Sequence, residues 1–250
     1  MTFRYPGRDD NVFDGLDLDI VAGQSLAIVG ANGAGKTTLV KLLARLYDVG
    51  DGRITVDGAD LRDIDPAAWQ RRVAAIFHDF VQYPVSAHDN VAFAALDRLG
   101  DRDAVETAAR RAGAAGVVAA LPKGWDTPLS RQLTDGADLS GGEWQRMALA
   151  RALFAVLAGA GVLVLDEPTA SLDVRAEAGL YDRFLDLTRG VTTIVVSHRF
   201  STVRRAERIV VLEDGRVVED GSHDELVAAA GRYASMYALQ ASRFWADGHG

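Results

Sequence analysis

Apolar positions along the chain follow two rhythms. Residues 25–29 (SLAIV) form a compact apolar run that leads into Gly30, and from Lys36 onward Leu39, Leu42, Leu43 and Leu46 recur at the spacing of one helix face. A strand that passes through glycines into a helix is the setting a phosphate-binding loop requires. Ahead of it, residues 12–20 alternate apolar and polar side chains around Asp14-Gly15. Behind it, residues 54–56 run into Asp57-Gly58 as a hairpin does. Residues 1–60 therefore read as short strands and turns around one strand–helix unit.

Farther on, residues 79–155 are rich in Ala, Arg and Leu. Residues 104–121 have helix-forming composition up to Pro122 and Gly124. Ser140 is an N-cap, and Glu143 three residues on completes a capping box, so the next helix should run through Met147 to Phe154. The last third alternates strand and helix. Residues 162–165 and 192–196 are short and apolar throughout, as strands of a parallel sheet covered on both faces should be. Residues 209–212, Asp214-Gly215 and residues 217–218 make a second hairpin. The alternation predicts an α/β fold, and no internal repeat, low-complexity segment or interdomain linker interrupts it.

Composition narrows the class. Hydrophobic residues make up 48% of the 250, enough for a sizeable core in one large domain or two small ones. Lys and Arg number 27 against 35 Asp and Glu, a net charge of −8. That balance argues against non-specific binding to nucleic acid and against a polybasic membrane patch. The absence of cysteine excludes disulfides, thiolate zinc sites and a cysteine nucleophile. Residues 1–10 carry no apolar stretch of a signal peptide. The longest uncharged, mainly apolar run, 152–165, is too short to cross a bilayer, so the chain as given reads as soluble. His88 reads as part of a polar loop, His223 as a helix start and His249 as part of a tail. No pair of histidines has metal-ligand spacing.

Gly30-Ala31-Asn32-Gly33-Ala34-Gly35-Lys36-Thr37 matches the phosphate-loop pattern in full, with Thr38 following. A triphosphate is densely anionic, and a helix N-terminus offers unpaired N–H donors and the positive end of a dipole. Glycines let the backbone curl around phosphates without a Cβ clash. Lys36 can set its ammonium against the β and γ oxygens, and the Thr37 hydroxyl is a hard oxygen suited to Mg2+. The competing reading is a glycine-rich turn that merely opens an ordinary helix. Residues 162–165 then end in Asp166-Glu167, which places two carboxylates at the C-terminal edge of a sheet, where α/β proteins bind ligands. Asp166 is a candidate Mg2+ ligand. Glu167 is a candidate general base, polarising the water that attacks the γ-phosphate. The bland alternative is that the pair caps the following helix.

Between these motifs stands Leu139-Ser140-Gly141-Gly142-Glu143. A phosphate loop and an Asp-Glu strand alone specify only a broad class of NTPases. With Leu-Ser-Gly-Gly just upstream of the acidic strand, the sequence resembles the nucleotide-binding domain of ABC proteins over nearly its whole length. The resemblance implies a RecA-like P-loop core with a parallel sheet, a small antiparallel β subdomain and a helical subdomain. Residues 1–250 would then be one domain: 1–82 and 156–240 the β subdomain plus core, 83–155 the helical subdomain, and 241–250 a tail. It implies ATP and Mg2+ as ligands, and two nucleotide-binding domains, as homo- or heterodimer, that sandwich two nucleotides head to tail.

Residue roles follow from the same resemblance. Tyr5, in Phe3-Arg4-Tyr5-Pro6, matches the aromatic that stacks on adenine, although a strand aromatic packed in the core would read alike. Ser140, Gly141 and Gly142 match the signature that touches the γ-phosphate of a nucleotide held by the other subunit. Asp173, in Ser171-Leu172-Asp173, lies in the loop where the two subunits meet. His198, in Val196-Ser197-His198-Arg199, matches the histidine that contacts the γ-phosphate. One position departs from the family. A glutamine that reaches Mg2+ and the attacking water usually follows the strand read at residues 74–77, and here His78 holds its place, with Gln82 four residues on as an alternative. An imidazole also donates and accepts, but it titrates near neutral pH, so hydrolysis should be more pH-sensitive at about pH 6–7.

Two classes of ABC protein compete: the ATPase of a membrane transporter, and a soluble ATPase acting on DNA ends or ribosomes. The compact stretch from Lys36 to Ser140 holds no long coiled coil, only one such domain is present, and the acidic balance disfavours nucleic acid. Residues 121–127 (LPKGWDT) and 221–226 (GSHDEL) resemble exporters. The implied partner is a transmembrane domain, fused or separate, and the implied place is the cytoplasmic face of the plasma (inner) membrane. The family docks that partner on the segment after His78, where Phe80, Val81, Tyr83 and Val85 are apolar in a predicted loop. A loop folded onto its own core is the alternative. The strand before Tyr5 is nearly absent, with only residues 2–4 left, which predicts a weak edge in the β subdomain.

Overall fold

In the computed structural model, which describes residues 1–77, 81–166, 187–197 and 199–247, the chain divides into two compact units. The first comprises Met1–Gln70 and Thr192–Gly250, the second Arg71–Val191.

The first unit is built on strand β1 (Ser25–Gly30), whose four central residues are buried. It runs straight into the glycine loop and helix α1 (Lys36–Leu43). Two short strands, β2 (Thr55–Val56) and β3 (Ala59–Asp60), form the hairpin expected at Asp57-Gly58, and helix α2 (Pro66–Gln70) follows. The helix that begins at Lys36 is shorter than the leucine spacing predicts. Arg45 turns into the left-handed region at φ 50°, and the Trp69 indole of α2 donates to the Leu43 carbonyl at 2.8 Å, closing the helix end. Leu46 is consequently 51% exposed rather than on the buried face.

The N-terminal segment makes isolated bridges, Thr2 with Asp51 and Phe3 with Phe13, rather than a strand. The Phe3 N–H nevertheless donates to the Phe13 carbonyl at 3.0 Å, and Phe3 is buried.

The in-register neighbours of β1 come from the far end of the chain. In the second unit, strands β4 (Val73–Ile76) and β5 (Val162–Asp166) pair in parallel. In the first, strands β6 (Thr192–Val196) and β7 (Arg208–Glu213) flank β1 in parallel, and β8 (Arg216–Gly221) closes the edge antiparallel to β7. The mostly parallel, apolar strands joined by helices are a RecA-like P-loop core.

Helices α3 (Ala87–Ala92), α4 (Arg102–Arg111), α5 (Ala115–Ala119) and α6 (Gly141–Leu157) accompany β4 and β5 in the second unit, with α6 packed on α3 and α4. The single helix read over 104–121 is two. Gly113 at φ 71° ends the first, because a left-handed residue cannot continue an α-helix. His88 sits in α3, not in a loop, with Nδ1 3.2 Å from Asp89 Oδ1.

Helix α7 (Phe200–Val203), α8 (His223–Ala228) and α9 (Arg232–Asp247) complete the first unit. His223 opens α8 after a Ser222–Glu225 capping box. The segment read as a tail at 241–250 is helical to Asp247. Tyr233 of α9 is fully buried in a cluster with Phe200, Val203 and Leu226, its hydroxyl 2.7 Å from His223 Nδ1. Burial pushes the pKa of that phenol up.

Candidate nucleotide-binding site

The glycine loop is held from below by side chains that are remote in sequence. Gly30 has φ 152° and lies in register with Leu212 of β7; a Cβ there would sit 2.2 Å from the Leu212 carbonyl oxygen. Gly35 has φ 99°, and a Cβ there would meet the Phe13 ring at 2.6 Å. Phe13 is itself fully buried beneath the β7–β8 turn, where a Cβ on Gly215 would reach the Val12 carbonyl oxygen at 2.2 Å. Gly33, at φ 85°, needs glycine for its backbone alone, since open space surrounds it. The pattern finds the loop glycines, but nothing in it points to Phe13 or Gly215 as their supports.

Helix α1 begins at Gly35 without a side-chain cap and without an acidic residue in its first turn. Its positive dipole end is thus left for an anion. Lys36 is buried, and its ammonium donates to the Gly30 and Ala31 carbonyls, both at 2.9 Å. Asn32, Gly33 and Thr37 are exposed, and Ala34 is buried. Thr38 is buried, and its Oγ1 lies 3.0 Å from the Tyr5 hydroxyl. Tyr5 is half-buried, edge-on to Phe3 and Tyr47 at ring distances of 5.1 and 5.2 Å, with the Lys41 ammonium 5.8 Å from its ring centre. Its hydroxyl fastens this aromatic cluster to the first turn of α1.

In the second unit, Asp166 ends β5 after three fully buried residues and is itself 2% exposed. Ser140 caps α6. Its Oγ accepts the Glu143 N–H at 3.4 Å, and its own N–H donates to Glu143 Oε2 at 2.8 Å. These bonds hold the Glu143 carboxyl below the usual carboxylate range, the Ser140 backbone amide first. Ser140 and Gly141 are exposed and Gly142 partly so, which leaves the start of α6 accessible.

The segment from Val81 is organised by two polar side chains that sequence reasoning missed. Asn90, fully buried, donates to the Tyr83, Val85 and Ser86 carbonyls. Arg151 of α6 donates to the Asn90 carbonyl at 2.9 Å and the Val81 carbonyl at 3.3 Å, and lies over the Tyr83 ring at 4.8 Å. Val81 is 54% exposed, while Tyr83 and Val85 are half-buried. Glu167, His78, Phe80, Asp173 and His198 lie outside the described residues.

A family model described as ABC transporter matches residues 13–170, which include the glycine loop, the Ser140 helix start and the Asp166-Glu167 pair. The chain belongs to the ABC transporter family. Among curated relatives, an ATP-dependent lipid A-core flippase of Methylococcus capsulatus is 41% identical over 94% of this chain. ABC transporter B family member 28 of Arabidopsis thaliana is 40% identical over 97% of it. Among solved structures, a bacterial Atm1-family ABC exporter with ATP bound is 37% identical and superposes over 96% of the chain with a TM-score of 0.86. This ABC domain spans 38% of the flippase, 33% of the plant transporter and 40% of the exporter chain. Among its own described residues, no helix is long and apolar enough to cross a membrane.

Proposed function

We propose that the chain binds and hydrolyses ATP to drive an ABC exporter, with a transmembrane domain as partner and the cytoplasmic face of the membrane as its place of work. The observation that carries this reading is the start of α1: glycines at positive φ, an uncapped helix end, and a buried Lys36 ammonium directed at the loop carbonyls. The relatives' names and the exporter structure support the transport half.

In this reading the N–H groups of residues 33–37 bind the β- and γ-phosphates, and Lys36 exchanges the Gly30 and Ala31 carbonyls for phosphate oxygens. Tyr5 stacks on the base. Thr37 and Asp166 hold Mg2+; a hydroxyl and a carboxylate are the hard donors that ion takes, and His78 adds an imidazole where the family has glutamine. The ion, when bound, neutralises charge that develops on the phosphate oxygens. Glu167 accepts a proton from the attacking water, and His198 donates to the γ-phosphate. Ser140, Gly141 and Gly142 of a second copy or close relative complete the pocket, with Asp173 at the junction, and 83–155 moves as the helical subdomain. Catalysis is positioning and charge neutralisation, with water as nucleophile.

The decisive variant is Glu167→Gln. It should bind ATP with parental affinity, lose nearly all turnover, and accumulate as a dimer when ATP is present. A variant that hydrolyses ATP at the parental rate would remove Glu167 as the base.

A further inference from the structure

The chain leaving β6 passes the phosphate loop before it enters α7. Val196, the last residue of β6, is in register with Ile28, two residues before Gly30. Ser197 is buried, and its Oγ accepts the Arg199 N–H at 3.0 Å. The next amide, that of Phe200, donates to Gln240 Oε1 at 2.8 Å, a bond that spans 40 positions and comes from α9. The Phe200 ring is edge-on to Tyr233 at 5.1 Å and to Tyr237 at 5.5 Å. Tyr233, Tyr237 and Gln240 follow one another at spacings of four and three, so they share one face of α9. That face grips the first residue of α7 by both its ring and its backbone amide.

A helix as short as α7 cannot fix its own entry. Nucleation is unfavourable without outside contacts, and Arg199, its N-cap, makes no side-chain capping bond. The direction in which the chain turns from β6 into α7 is therefore set from α9. Packing alone would be served by the two tyrosines; the amide bond to Gln240 adds direction, because a hydrogen bond weakens steeply away from linearity.

We propose that Gln240 is a positioning residue for ATP hydrolysis: by holding the Phe200 amide it fixes the turn at 197–200, and with it position 198. The proposal rests on the reading of His198 as a γ-phosphate contact. Gln240 acts only through that turn, so it belongs to the rate of the chemical step rather than to nucleotide affinity.

The test is steady-state ATP turnover of the intact chain as Gln240→Met, Gln240→Glu, His198→Ala and the His198→Ala/Gln240→Met double variant, each compared at equal folded fraction by thermal unfolding. Methionine keeps length and volume without a strong acceptor, while glutamate keeps an acceptor oxygen. Gln240→Met should lower kcat about tenfold and leave the KM for ATP within about twofold. Gln240→Glu should stay within about threefold of the parent. In the His198→Ala background the methionine should cost nothing further, as expected of groups acting through one contact. Parental kcat in Gln240→Met, an equal loss in Gln240→Glu, or losses that multiply in the double variant would each overturn the proposal and leave the His198 reading standing. A His198→Ala variant that turns over like the parent removes that reading and the proposal together.

Discussion

A methyl group at Gly30 has no room, whereas one at Gly33 has. Both residues have positive φ, but only Gly30 brings its α-carbon against a backbone oxygen, that of Leu212 on the neighbouring strand. Gly30→Ala must therefore pry β1 from β7 as well as strain the backbone, at about 2 kcal/mol or more. Gly33→Ala bears the conformational strain alone, at about 1 kcal/mol. Urea unfolding of the two variants measures the difference, and equal losses would show that the approach to Leu212 does not matter. ATP titration should show the same order, with binding lost in Gly30→Ala. The loop glycines are legible because phosphate chemistry restricts them locally. Phe13 and Gly215, which hold the loop in place, are not, because their role exists only after β1, β7 and residues 12–13 have been brought together.

Elements whose signals are local were read well, and those that need tertiary contacts were not. The capping box at Ser140 and Glu143 is written within four residues, and both reciprocal bonds form. The end of α1 depends on Trp69, a residue of another helix, so leucine spacing overran it. Ser140→Ala should destabilise the α6 start by about 1 kcal/mol, the usual worth of an N-cap. Glu143 supplies a pH signature. Its carboxyl is held below the ordinary glutamate value by the Ser140 amide and hydroxyl, so its folded-state pKa lies under its unfolded one. Its contribution is full above about pH 4.3, the unfolded value, and is lost as pH falls through the lower folded value. Chemical unfolding of parent and Glu143→Gln should thus differ most at neutral pH and converge in acid. A gap that stays constant down to pH 3 would show that the carboxylate charge plays no part in the cap.

At the scale of the whole molecule, the chemistry is distributed in a way that one copy does not complete in the proposed mechanism. The glycine loop belongs to the first unit, while the exposed helix start at Ser140 and Gly141 is laid out on the second. A capped helix N-terminus with small, exposed residues permits close backbone approach to an anion, and the capping box leaves the hydroxyl and amides of this turn on the surface. If that turn serves a nucleotide held by a second copy, each active site contains parts of two chains. Turnover then depends on the fraction of chains paired, which follows mass action. At saturating ATP the rate per chain should climb with protein concentration and level off once pairing is complete. Ser140→Ala should lower that plateau, and mixing it with excess Lys36→Ala should restore activity, because a mixed pair keeps one site with an intact loop facing an intact signature. A rate per chain that is flat down to concentrations where sedimentation shows only monomer, or a mixture with no more activity than its components, would mean that a single copy completes its own site.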